Sequence, residues 1–268
     1  MTELTLIFIF LFGLIIGSFL NVVIYRYNTG QTINGRSYCF ACRMDLAWYD
    51  LIPLLSFIYN RGRCRSCQSL ISLQYPLVEL ATATTFVLLA WHYGLATYNL
   101  ANIFLTAFYG LVVSILLMIA VYDLRHKIIP DDFVFAFIAL AFISPFVQYV
   151  GFSLSAFTLL ANGILSASIL GGFFWSLWRY SDGRWMGFGD VKLVVGIGLL
   201  LGLSKGITAV VIAFWLGAIV GLVLIVAKRL DILARISNLS LKSEIPFAPF
   251  LVLATLIGLI FELNLLPF

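Results

Sequence analysis

The stretch LTLIFIFLFGLIIGSFLNVVI, residues 4–24, carries no charged side chain from end to end. Crossing the hydrocarbon of a bilayer takes ~20 predominantly apolar residues in a helix, and this run is long enough. No basic flank precedes it and no small-residue cleavage site follows it. It therefore reads as a first membrane span kept in the mature protein, not as a removed signal. Working outward, the rest of the chain has the same character. Of its 268 residues 62% are hydrophobic and only 10% are charged, whereas a soluble domain has about a quarter charged and roughly half apolar residues. Such a chain cannot cover its apolar surface in water, so lipid is its solvent.

Apolar runs punctuated by Pro, Gly and charge predict eight helices, near 4–24, 76–93, 102–122, 133–150, 156–178, 191–204, 207–227 and 247–266. Lipid admits helices or closed barrels. Runs this continuous suit helices, because barrel strands alternate in polarity over about ten residues. The expected fold is all-α: a polytopic membrane bundle of about eight transmembrane helices with a small cytoplasmic cysteine loop. The expected organisation is a first span at 1–24, a loop at 25–75 and a membrane domain at 76–268.

The basic residues orient this arrangement. Every Lys and Arg except Lys205 falls in the loops 25–75, 123–132, 179–192 and 228–246, all on one side. The positive-inside rule makes that side cytoplasmic and puts both termini outside. The basic residues form no patch, so nucleic acid is not an expected partner.

Cys39, Cys42, Cys64 and Cys67 are the only cysteines and make two C-x2-C pairs. Each pair can place two sulfurs on one ion, and the spacing is close to that of a tetrahedral four-thiolate zinc site. The alternative is four reduced, unliganded thiols, since disulfides are uncommon on the cytoplasmic side. Bound zinc would order a loop that has little core of its own.

Most carboxylates have ordinary explanations. Asp131 and Asp132 suit a helix N-terminus. Glu79 lies inside an apolar run, where an ionisable group is expensive without a partner or a task. Asp123 ends the third expected helix, where the helix dipole disfavours a negative charge. Asp190 opens the sixth, and taken alone it reads as an N-cap. Topology brings the two to the same depth on the cytoplasmic side. Two carboxylates in contact cannot both ionise cheaply, so such a pair holds one acid and one base near neutral pH. That pair can activate water against an amide. Gly187 and Gly189 beside Asp190 would let backbone approach a substrate.

These strings resemble the type IV prepilin peptidase family over nearly the whole chain. Asp123-Leu124 with Ile129-Pro130-Asp131 looks like its first aspartate motif, and Gly187-Phe188-Gly189-Asp190-Val191-Lys192 like its GxGD motif. Gly17 to Arg26, the cysteine loop with Asp50 to Leu54 and Arg61 to Cys64, Tyr75 to Leu80 and Ile245 to Leu251 are also similar to family segments. Ala248 stands where the family usually has Gly. The resemblance implies an enzyme of the bacterial cytoplasmic (inner) membrane acting on type IV prepilin or type II secretion pseudopilin precursors. It would remove a short basic leader with Asp123 and Asp190 at the cytoplasmic face. It would then methylate the new N-terminus with S-adenosylmethionine. It also implies a methyltransferase association for Gly62, Arg63 and the cysteine loop, to which Glu79 is added by position. Gly187, Gly189, Lys192 and Asp131 would support the peptidase site. No G-x-G-x-x-G turn and no soluble domain of adequate size marks the methyltransferase half.

Three other readings meet the same residues. Presenilin-like proteases share Tyr122-Asp123 and GxGD but lack the cysteine loop. A transporter would use the carboxylates as an ion relay, but the internal repeat common in transporters is missing. A membrane scaffold with a zinc loop leaves Asp123 unexplained.

Overall fold

The computed structural model describes residues 3–94, 99–151, 155–229 and 245–264. Eight helices are present among them: α1 Glu3–Arg26, α2 Leu55–Tyr59, α3 Gln74–His92, α4 Leu100–His126, α5 Asp131–Gly151, α6 Ala156–Tyr180, α7 Phe188–Arg229 and α8 Ala248–Phe261. Among the described residues the only extended pairings are two isolated bridges. The all-helical expectation holds. Most of the basic loop 228–246, with Asp231, Arg235 and Lys242, lies outside the described residues.

Among the described residues five helices are long and apolar enough to cross a membrane: α1, α4, α5, α6 and α7. The expected count of eight spans is not confirmed by this set, in which α7 counts once. The helix expected at 247–266 has only 14 residues, a rise of about 21 Å. α3, expected as a span at 76–93, is also outside that set. Exposed Leu4, Phe8, Phe157 and Trp215 are the kind of surface lipid covers.

The expected helices 191–204 and 207–227 both belong to α7. Straight, its 42 residues would run about 63 Å, twice the hydrocarbon thickness. It is not straight. Gly202 has φ 73° and ψ −175°, outside the helical region. A Cβ at Gly206 would come within 3.8 Å of the Gly198 Cα, although eight residues of straight helix rise about 12 Å. The two arms therefore fold back on each other, as the two expected helices require. Backbone groups freed by the bend are satisfied from α6: the Ser166 hydroxyl donates to the Gly202 carbonyl at 3.0 Å, and the Leu203 N–H donates to Asn162 at 3.3 Å. In lipid, satisfying such groups is obligatory.

The chain divides into two compact units, residues 1–121 and 122–268. In the first, α1 packs along α3. Gly13 and Gly17 make this possible, because a Cβ at either would meet the Cα of Ala83 or Glu79 at 2.6 and 2.7 Å. Small residues four apart let two helix backbones approach in this way. Buried Asn21 ties the pair at one end, donating to the carbonyls of Gly17 and Tyr75 at 3.3 and 3.2 Å. In the second unit, α7 packs against α5, α6 and α8.

Candidate active site

Asp123 occupies the last turn of α4 and Asp190 the first turn of α7. Both are buried, at 5% and 7% exposure, and both belong to the second unit. Asp190 lies within the electrostatic field of Asp123, so the fold brings the two together. The Gly187 N–H reaches the Asp190 carboxylate. The other oxygen, Oδ1, is buried with no hydrogen-bond partner among the described residues. Buried polar atoms are rarely left so. An unpaired carboxylate oxygen beside a second carboxylate can take a proton from water.

An Asp at a helix C-terminus is electrostatically misplaced by the sequence argument. Its compensation comes from α8, where the Ala248 backbone N–H reaches the Asp123 carboxylate. Ala248 is the first residue of α8, so this donor is one of those a helix N-terminus leaves unpaired. The N-terminal dipole of α8 thus faces a carboxylate. Sequence reasoning had no signal for this donor beyond the resemblance of the 245–251 string.

The supporting residues have unequal parts. A Cβ at Gly189 would meet the Ile129 Cβ at 2.8 Å, so that space is filled by the segment preceding α5. At Gly187 a Cβ would make only ordinary contacts, with the Asp190 carboxylate at 3.8 Å and the Gly189 nitrogen at 3.9 Å. Asp131 opens α5 and does more than suit its dipole: it forms an ion pair with Lys192. The Lys192 ammonium also lies over the rings of Phe135 and Phe188, at 5.5 and 5.2 Å. This cluster joins α5 to α7 two residues beyond Asp190.

In the first unit all four cysteines are free and their sulfurs lie within 4.8 Å of one another. Two local turns with the same pattern present them. The N–H of Cys39 bonds to the Met44 carbonyl and that of Arg43 to the Cys39 carbonyl; the N–H of Cys64 bonds to Ser69 and that of Gln68 to Cys64. Arg43 and Gln68 share a positive φ, 61° and 60°. Bridges Tyr38–Asp45 and Arg63–Leu70 close the two turns. The Cys39 and Cys67 sulfurs are 3.8 Å apart, the edge of a tetrahedron with metal–sulfur bonds of ~2.3 Å. The Cys42 N–H pointing at the Cys39 sulfur brings that thiol down to about 6. The Ser69 hydroxyl lowers Cys67. Cys42 has a Met44 N–H at its sulfur, yet burial and the Cys39 and Cys67 sulfurs push it up to about 11. Four crowded thiols cannot all ionise without a cation, and the donor set fits a soft tetrahedral metal.

Glu79, on α3, is 6% exposed. Its Oε2 accepts the Leu54 N–H at 2.9 Å, and the Ser18 hydroxyl reaches the same carboxylate. Leu54 has φ 58° and ψ −48°, an uncommon conformation for a residue with a side chain. Gly62 needs its positive φ of 68°, and Phe57 closes over it. The Arg63 side chain is exposed. Sequence reasoning missed Ser18 and Asn21, although both are polar residues within the first apolar run.

Comparison with known proteins agrees with this picture. The model for the bacterial peptidase A24 N-terminal domain matches residues 11–93, and that for the type IV leader peptidase family matches residues 110–222. A prepilin leader peptidase/N-methyltransferase of Neisseria gonorrhoeae is 31% identical over 246 residues, covering 81% of each chain. One of Bacillus subtilis is 29% identical over 97% of this chain and 96% of its own. One of Myxococcus xanthus is 36% identical over 82% of this chain and 63% of its own. No solved structure matches the chain.

Proposed function

The chain belongs to the type IV leader peptidase family, and on that premise we propose that Asp123 and Asp190 are the pair with which it cleaves prepilins. The protein is a multi-pass inner-membrane prepilin peptidase and N-methyltransferase. The observation that carries the residue assignment is the unpaired, buried Oδ1 of Asp190 within the field of Asp123. One carboxylate takes a proton from water, whose oxygen attacks the scissile carbonyl carbon. The other gives its proton to the carbonyl oxygen. Collapse of the tetrahedral intermediate breaks the C–N bond, and the departing amine takes up a proton. Ala248 holds Asp123 in place, and the Asp131–Lys192 pair steadies the first turn of α7. The assay is cleavage of a prepilin in detergent by the wild type and by Asp123→Asn and Asp190→Asn. Full proteolysis by either variant removes the assignment.

The cleavage products are a leader carboxylate and a new amine. Methylation would follow, with S-adenosylmethionine, when bound, supplying the methyl group to the new amine. Gly62, Arg63 and Glu79 are assigned to this second reaction. Cys39, Cys42, Cys64 and Cys67 would hold a structural zinc ion, which would order loop 25–75. The remainder, 76–268, is the peptidase domain. The distribution of basic residues supports a cytoplasmic side for the cysteines and both aspartates, with both termini outside. The substrates are type IV prepilins or type II pseudopilins, whose leader stays in the cytoplasm while the following apolar helix lies in lipid.

A further inference from the structure

The first unit contains a cavity of about 360 Å³, within the range of small-molecule sites. One wall is aromatic. Tyr25 and Tyr75 stack at 4.9 Å with their planes 8° apart, and Phe40 lies 5.4 Å from Tyr25. Such a wall offers π-faces to a flat heterocycle.

Five charged side chains line the same cavity, and two of them, Glu79 and Arg63, have neither an opposite charge nor an aromatic ring as partner among the described residues. Glu79 is buried and accepts only neutral donors, the Leu54 N–H and the Ser18 hydroxyl. It has no cationic partner among the described residues. A buried carboxylate is costly unless a cation faces it. Arg63 likewise has no carboxylate partner among the described residues. The other lining charges are engaged: Arg26 donates to the carbonyls of Thr32, Ile33 and Arg36, the Arg65 guanidinium lies over the Tyr49 ring at 4.9 Å, and Asp50 accepts the Ala47 N–H. The cavity thus presents one anion, one cation and an aromatic wall. Its complement is a molecule with a cationic centre, a carboxylate and a planar ring.

We propose that this cavity, between the C-terminal part of α1, the cysteine loop and the start of α3, is the binding site for S-adenosylmethionine. The proposal rests on the methyltransferase reading above and gives it a location. Glu79 faces the sulfonium, Arg63 takes the amino-acid carboxylate, and the Tyr25–Tyr75–Phe40 wall carries the purine. Cys39 and Cys64 also line the cavity, so the turns that hold the metal form part of its wall.

The test uses the whole chain in detergent, titrated with S-adenosylmethionine and with S-adenosylhomocysteine, which lacks the positive charge. Calorimetry reads binding, and cleavage of a prepilin reports that each variant is folded. Tyr25→Ala should weaken both ligands at least tenfold. Glu79→Gln should weaken S-adenosylmethionine about tenfold and leave S-adenosylhomocysteine within twofold. A purely structural role for Glu79 would instead weaken both equally, and that result overturns its assignment to the sulfonium. If the wild type binds and both variants bind as well as it does, the cavity is the wrong site while the methyltransferase reading stands. If the wild type neither binds the donor nor methylates cleaved pilin, the reading itself fails.

Discussion

The backbone N–H of Ala248, at the first residue of α8, reaches the carboxylate of Asp123 at the end of α4. A carboxylate that opposes its own helix dipole is thereby set against the favourable end of another. The interaction uses the main chain, so Gly in place of Ala248 keeps it. Ala248→Gly should cleave prepilin at nearly the wild-type rate. Ala248→Pro has no N–H to donate, and a hydrogen bond to a charged group is worth ~1.5–3 kcal/mol. Cleavage should fall about tenfold to a hundredfold, with helix content by circular dichroism unchanged. Equal activity in the two variants would dismiss the donor.

Asp123→Asn and Asp190→Asn should each remove cleavage and leave a folded membrane protein. The Asp131–Lys192 pair predicts a graded outcome beside that loss. Asp131 is 59% exposed and Lys192 20%, and pairs of this kind contribute ~0–1 kcal/mol. Asp131→Asn and Lys192→Met should each slow cleavage only several-fold, and the double variant should be no slower than the slower single one. Additive losses would show that the two residues act separately.

The cysteine turns predict about one zinc ion per chain, with sulfur distances near ~2.3 Å by X-ray absorption. Thiolate ligands compete with protons, so acid weakens the metal. Metal release should therefore accompany acidification. Cys39→Ser with Cys42→Ser should lose the metal and retain prepilin cleavage, because the aspartates belong to the other unit. Metal retained by the double serine variant would place it elsewhere.

The two reactions should separate by mutation. At Gly62 any side chain is strained by the positive φ and meets Phe57 at 3.0 Å. Gly62→Ala and Arg63→Ala should yield cleaved, unmethylated pilin. Asp190→Asn should leave uncleaved precursor and still methylate pilin that is supplied already cut. Mass spectrometry of the pilin N-terminus reads all three results. Normal methylation by the Gly62 and Arg63 variants removes their assignment.

What the sequence determined by itself is local or compositional. Hydrophobicity over residues 4–24 and runs like it fixes lipid as the solvent and helix as the element, because backbone polar groups in hydrocarbon must be satisfied within their own segment. The C-x2-C spacing marks the four thiols, since each turn presents its own pair of sulfurs. Asp123 stands out because it sits at the wrong end of a dipole. What only the tertiary structure decided depends on residues far apart in sequence. The apolar runs marked two helices at 191–204 and 207–227, but how the chain reverses between them did not follow from those runs: α7 bends at Gly202, with its freed groups met by Ser166 and Asn162. Glu79 was visible as an expensive carboxylate, but its donors, Leu54 and Ser18, lie on other segments. The Asp123 donor is on the last helix. Hydrophobic burial is non-directional and sets class and pattern, whereas hydrogen bonds and charge pairs are short-ranged and directional, so their partners exist only once the helices are packed.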